Sequence, residues 1–164
     1  MCRVFKKFLC LVSAMFIALN SMAPMGLASE SGKIAKPQRL ILSLGREGDR
    51  KRLFYPDYFA ITAGKRYTLI IQNPSLDIHE FDAPGLVASS WSSDVKVLDD
   101  IGASAHPIAT IVGTPAEIEI RPGGSVEWTF VPVVAGRYDI LCDIEDQSGK
   151  THTAMGMKGT IVVN

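Results

Sequence analysis

The sequence predicts one all-β domain, a sandwich or barrel of short strands, preceded by an export signal. Three observations carry this reading. Short apolar or alternating runs recur through residues 38–164, and each ends at Gly, Pro, Asn or Asp, which is the pattern of strands divided by turns. One segment, 86–114, departs from that rhythm. The first 28 residues have a composition unlike the rest of the chain.

Taken in order, 39–44 is the first strand-like run, and a charged, Gly-containing loop follows at 45–52. The aromatic stretch 54–59 contains Pro56, which suits an edge segment. Residues 66–71 start just after Gly64 and lead to Asn73-Pro74, a strong loop signal. The chain resumes at 79–81 before Pro84-Gly85 interrupts it. Segment 86–114 is expected to be a short helical or loop insertion, with a helix within 89–98 and a loop over 99–114 carrying His106. Beyond it, 117–120 and 125–131 alternate around the turn Arg121-Pro122-Gly123-Gly124, and 133–141 and 160–163 supply the last strands. Residues 29–37 are small and polar and end in Pro37, a flexible leading segment. The domain proper is 38–164.

Arg3, Lys6 and Lys7 precede an apolar run from Phe8 to Leu19, and Gly26 and Ala28 stand before Ser29. This is the layout of a cleavable signal peptide over 1–28, and the run is short for a membrane span. Cys10 lies inside the apolar run, where it is poorly placed for lipid attachment. The mature chain is therefore expected to be periplasmic or secreted, without a membrane span. The signal takes three of the 17 basic residues and none of the 17 acidic ones, leaving a formal charge of −3. That balance offers no footprint for nucleic acid. The remaining chain suits one core and, with no long uncovered edge legible, a monomer.

Cys2 and Cys10 leave with the signal, so Cys142 is the lone cysteine of an exported chain. An unpaired cysteine there is an inert buried thiol, a reactive thiol, an intermolecular bridge or a metal-bound thiolate. Its neighbours bear on the choice. Cys142, His152 and Met157 follow one another between the strand ending at 141 and the strand 160–163. Thiolate, imidazole and thioether form a soft set, and two His with one Cys and a distant Met describe a mononuclear copper electron-transfer site. The mature chain has only three His. His79, which opens a β segment, is the natural second imidazole, while His106 reads as a surface-loop residue or an accessory copper-capture ligand. A Cys142–His152 nucleophile pair leaves Met157 unexplained.

Three stretches carry a resemblance: "ITAGKRYTLIIQNPSLDIHEF", "EIEIRPGGSVEWTFVPVVAGRYDILCD" and "HTAMGMKGTIVV". From Phe54 onward, 86–114 excepted, the chain resembles the cupredoxins, in particular bacterial plastocyanin- and azurin-like type 1 copper proteins. The resemblance implies a Greek-key β-sandwich or barrel with one copper ion, Cu(I)/Cu(II), held by His79, Cys142, His152 and Met157. It implies an electron carrier rather than an enzyme, whose partner is a cytochrome or copper enzyme. The alternative is a periplasmic copper buffer, chaperone or tolerance protein, served by a copper-delivery partner.

Two departures stand out. Nine residues separate Cys142 from His152, whereas the family more often has two to four. Glu80 adjoins the first His; as a carboxylate ligand it gives a red site, and as a solvated group it leaves a blue one. Met155 competes with Met157, and the Gly156-Met157-Lys158-Gly159 context favours Met157. Asp143 is expected to hydrogen-bond within the ligand loop, and Ile140, Leu141 and Ile144 to keep water from the sulfur. By analogy with the family, Pro84, Gly85 and Leu86 are candidate docking residues.

Overall fold

The computed structural model describes residues 35–102, 105–115 and 117–164; the signal-peptide assignment to 1–28 and most of the leading segment lie outside them. Two sheets enclose one core. The first has the order β2-β1-β4-β9-β6-β7, built from Gln38–Leu44 (β1), Phe54–Tyr55 (β2), Tyr67–Gln72 (β4), Ser90–Leu98 (β6), Pro107–Val112 (β7) and Ser125–Pro132 (β9). The second runs β3-β11-β10-β5-β8, from Tyr58–Ile61 (β3), His79–Asp82 (β5), Glu117–Ile120 (β8), Gly136–Leu141 (β10) and Lys158–Val163 (β11). The β1/β4 and β3/β11 pairs are parallel and the remaining pairs antiparallel.

Alternation along the strands dictates what is inside. Leu42 and Leu44 of β1, Leu69 and Ile71 of β4, Trp128 and Phe130 of β9, and Ile140 of β10 all point into the core, as a period of two requires. Trp128 and Phe130 stack with ring centroids 4.1 Å apart, and Phe81 of the opposite sheet lies 6.2 Å from Trp128. The indole N–H is not orphaned, since Trp128 Nε1 donates to Ser92 Oγ at 2.8 Å.

The expected insertion is mostly a hairpin. The only helix among the described residues of 84–114 is Pro84–Ala88 (α1), which precedes the predicted one, and 90–98 is the strand β6, paired with β9 and β7. A bulge between Ser92 and Asp94 is the reason. Ser92, Val95 and Val97 all face the core, but the bulge puts two residues rather than one between the first pair. The broken alternation hides a strand that pairing on both edges makes stable. After β6, Asp99 N donates to the His106 carbonyl at 3.1 Å and His106 N donates to Asp99 Oδ1 at 2.7 Å.

Trp128 is the largest side chain fully excluded from solvent. Trp128→Ala is expected to lower unfolding stability by about 3–5 kcal/mol, read as a lower midpoint with an unchanged slope in urea denaturation.

Candidate metal centre

Strand ends deliver the candidate ligands to one end of the sandwich. His79 is the first residue of β5, and Cys142 follows the last residue of β10. Met157 immediately precedes β11, and Leu141 and Lys158 are register partners. The ladder therefore sets Cys142 beside Met157 across adjacent strands. His152 comes from the intervening loop, where Thr153–Met155 form one 3-10 turn. Gly156, at φ 108°, reverses the chain there, a conformation that glycine adopts without strain. Gly159 serves a different need: a Cβ on it would lie 2.8 Å from the Asp57 carbonyl oxygen, where β3 closes against β11.

The three strongest donors converge. His79 Nδ1 and His152 Nδ1 are 3.2 Å apart, Cys142 Sγ lies 3.4 Å from His152 Nδ1, and it lies 4.0 Å from His79 Nδ1. A point equidistant from these atoms lies about 2.1 Å from each, the length of a metal–imidazole bond and slightly short of a metal–thiolate bond of about 2.3 Å. His79, Cys142 and His152 are all buried. His79 Nε2 is also buried and finds no hydrogen-bond partner, so the ring's only polar neighbours lie on its Nδ1 side. These residues fit a transition-metal ion and are poorly satisfied as a purely structural cluster.

Met157 is fully buried, whereas Met155 is half-buried and its Sδ accepts from Arg52 Nη1 at 3.5 Å. The sulfur of Met155 is thus occupied elsewhere. Glu80 is neither solvated nor aimed at the centre. It is only 7% exposed, and alternation along β5 turns it to the face opposite His79. Burial, then the charges of Glu117 and Asp82, push its carboxyl pKa up. Its backbone N–H donates to Cys142 Sγ at 3.3 Å. His106 is exposed beside Asp99 and takes no part in the cluster.

The docking expectation for Pro84, Gly85 and Leu86 fails. These residues start α1 beyond the C-terminal end of β5, while His79 opens its N-terminal end. Four strand residues, at about 3.3 Å each, lie between them. Leu86 is, moreover, fully buried in the core. The edge of His152 instead lines a cleft with Arg50, Arg52, Asp77, Ile144 and Asp146.

The long ligand loop is an ordered hairpin. Glu145 and Thr151 bridge, and Asp146 Oδ1 accepts from Ser148 N at 2.8 Å, Ser148 Oγ at 2.6 Å and Lys150 N at 3.2 Å. Thr153, rather than the exposed Asp143, ties its base. Thr153 Oγ1 accepts from Cys142 N at 2.9 Å, and Thr153 N donates to the Cys142 carbonyl at 2.8 Å. His79 is positioned by Asn73, which is fully buried. Asn73 Nδ2 donates to the carbonyls of Asp77 at 2.8 Å and Ile120 at 2.7 Å, and Oδ1 accepts from Ser75 N and Oγ. The Asn73-Pro74 signal located this loop without revealing those bonds, and no pattern in the sequence pointed to Thr153.

No family model and no curated protein matches the chain. Solved structures do. McoA, a multicopper oxidase from Aquifex aeolicus, superposes with a TM-score of 0.53 at 17% identity, over 83% of this chain and 32% of that one. A multicopper oxidase from Campylobacter jejuni gives 0.51 at 16% identity, over 82% and 32%. This chain thus spans about a third of either oxidase. An auracyanin from Roseiflexus castenholzii gives 0.47 at 18% identity, over 79% and 99%. The fold is a cupredoxin-like β-sandwich. In this framework the donor cluster lies at one end of the second sheet, where β5 begins, β10 ends and β11 begins.

Burial and then the neighbouring His152 hold the His79 pKa down to about 4 from 6.5, and burial lowers that of His152. Burial pushes the Cys142 thiol up to about 11, opposed by the Glu80 N–H. Without metal, the centre is therefore two neutral imidazoles and a thiol, and metal binding releases the thiol proton.

Two expectations follow. Asn73→Ala removes the side-chain donor to the buried Ile120 carbonyl, leaves the Asp77 carbonyl only Ser75 Oγ, and takes the acceptor from Ser75 N and Oγ; it is expected to cost about 2–4 kcal/mol, with weaker metal retention in chelator competition. In the metal-free protein the unfolded chain protonates at His79 before the folded one does, so this residue's contribution makes stability rise with pH between about 4 and 6.5 and fall on acidification. Glu80 and Asp82, whose pKa values are raised, act in the opposite sense. The check is therefore a comparison: His79→Gln should remove on the order of 2 kcal/mol of pH dependence across that window.

Proposed function

We propose that the chain is an exported electron carrier in which His79, Cys142 and His152 would hold one copper ion, with Met157 as a further, weaker ligand. The observation that carries this is the convergence of two imidazole Nδ1 atoms and one thiol Sγ at metal-bonding separation. A buried thioether as the remaining neighbour favours copper over zinc, which takes a fourth strong ligand in closed sites. The oxidases of like fold are copper proteins by name. Copper would supply one-electron cycling between Cu(I) and Cu(II).

The chain's own part is to hold the donors still and dry. His79, Cys142 and Met157 are anchored directly to strand ends, which limits their movement between oxidation states. Ile140 is fully buried, and Ile144 packs against the core beside Cys142, so water is kept from the sulfur. Catalysis by this chain alone is not part of the proposal. Copper oxidase chemistry requires further His ligands, and of three His in the sequence two are used and His106 is exposed on a surface loop. The site belongs to a periplasmic or secreted protein in this reading, where a lone unpaired Cys142 is protected by its metal.

The test is the optical and EPR spectrum of the mature protein loaded with Cu(II), beside Cys142→Ala. An intense visible thiolate-to-copper band that disappears in the variant is expected. A colourless protein with an ordinary tetragonal EPR signal would exclude the carrier and leave copper handling through the His residues.

A further inference from the structure

The loop 45–53, a charged stretch with no assigned role, sends one residue to the centre. Arg52 is two-thirds buried, and its guanidinium joins three segments. Nη1 donates to Met155 Sδ at 3.5 Å on the ligand loop, and Nη2 lies 3.9 Å from Asp77 Oδ2 on the loop that delivers His79. Its Nε is buried without a hydrogen-bond partner. Arg50 takes up the other oxygen of Asp77, so the Asp77 charge is shared between two guanidinium groups and neutralises neither fully. The same cleft contains the edge of His152.

We propose that Arg52 is a positioning residue that clamps the His79 and His152 loops together and biases the bound ion toward its lower charge state. This inference rests on the copper reading above. A fixed cation close to a redox centre destabilises the state of higher positive charge, and partial burial keeps solvent and salt from screening it. The clamp is mechanical as well. A single planar fork linking Met155 and Asp77 holds the loop bearing His152 against the loop bearing His79, a task to which a flexible ammonium is less suited. Asp77 carries the opposing charge and sets the balance.

The test uses the full mature chain with Arg52→Met, Arg52→Lys and Asp77→Asn, loaded with copper and poised at one ambient potential near the parent's midpoint. Arg52→Met is expected to lower the ratio of reduced to oxidised copper about tenfold. Arg52→Lys should restore most of that loss, and Asp77→Asn should move the ratio the other way. Amide hydrogen exchange of the metal-free protein should show faster opening at 152–157 in both Arg52 variants, because each loses the fork. An intact thiolate band with a ratio unchanged within twofold in Arg52→Met overturns the electrostatic role, as does a loss in Arg52→Lys equal to that in Arg52→Met. Unchanged exchange at 152–157 overturns the clamp. Absence of the thiolate band in the parent protein overturns the proposed function and this inference with it.

Discussion

The structure depends on keeping three buried, uncharged donors within 4.0 Å of one another at one end of a β-sandwich. In the metal-free chain little attraction holds them there. Two imidazole nitrogens face each other and share at most one proton, and the thiol is a weak hydrogen-bonding group. Burial disfavours charge on all three, so no ion pair forms among them. The geometry must be imposed from outside. Strand register does most of this, because Leu141 opposite Lys158 brings Cys142 and Met157 together. Loop hydrogen bonds do the remainder, through Asn73 at the loop before His79 and Thr153 at the base of the ligand loop.

The long Cys142–His152 spacing is accommodated outside the centre. Its surplus residues fold into a hairpin closed by Asp146, and the chain returns to His152 through the hydrogen bond from His152 N to the Ile144 carbonyl. The ligands are therefore set by the base of the loop, and its length changes what surrounds them. The hairpin and the 45–53 loop wall the edge of His152 with charged groups. A family analogy looked for an apolar rim at 84–86, but that helix sits at the far end of β5. The consequence is a centre whose solvent-facing side is polar and electrostatically structured.

Much of this was legible in the sequence, and the limits have physical causes. The strands flanking the ligands were readable because Arg121-Pro122-Gly123-Gly124 and Asn73-Pro74 mark turns whose chemistry is local. The ligands stood out because the mature chain carries so few His and Cys. Strand β6 was missed because a bulge at Ser92–Asp94 breaks the alternation that identifies strands. Arg52 was invisible for another reason. In "REGDRKR" it is one of several charged residues in a loop that reads as solvated, and only the tertiary approach of the Asp77 and Met155 loops selects it. Glu80 was read as a metal ligand or a solvated carboxylate and is neither, because its side chain is buried on the face of β5 opposite His79.

Glu80 also shows how the centre is polarised. On the outer face of the second sheet Glu80 is in register with Glu119, and Asp82 with Glu117. Like charges placed directly opposite oppose pairing; burial first, and then neighbouring carboxylates including Glu117, raise the pKa values of Glu80 and Asp82. The charges of Glu80 and Asp143 also push the Cys142 thiol upward, while the Glu80 N–H donates to the same sulfur and pulls it down. At the imidazoles Arg52 is opposed by carboxylates, Asp77 and Asp49 at His79 and Asp77 and Asp146 at His152, and at His79 Asp77 outweighs it. The sulfur side of the centre is thus bordered by carboxylates and the imidazole side by guanidinium and carboxylate groups together. The carboxylates disfavour negative charge on the sulfur and the backbone N–H groups of Glu80 and Ile144 favour it, so the centre is shaped by groups that are not ligands.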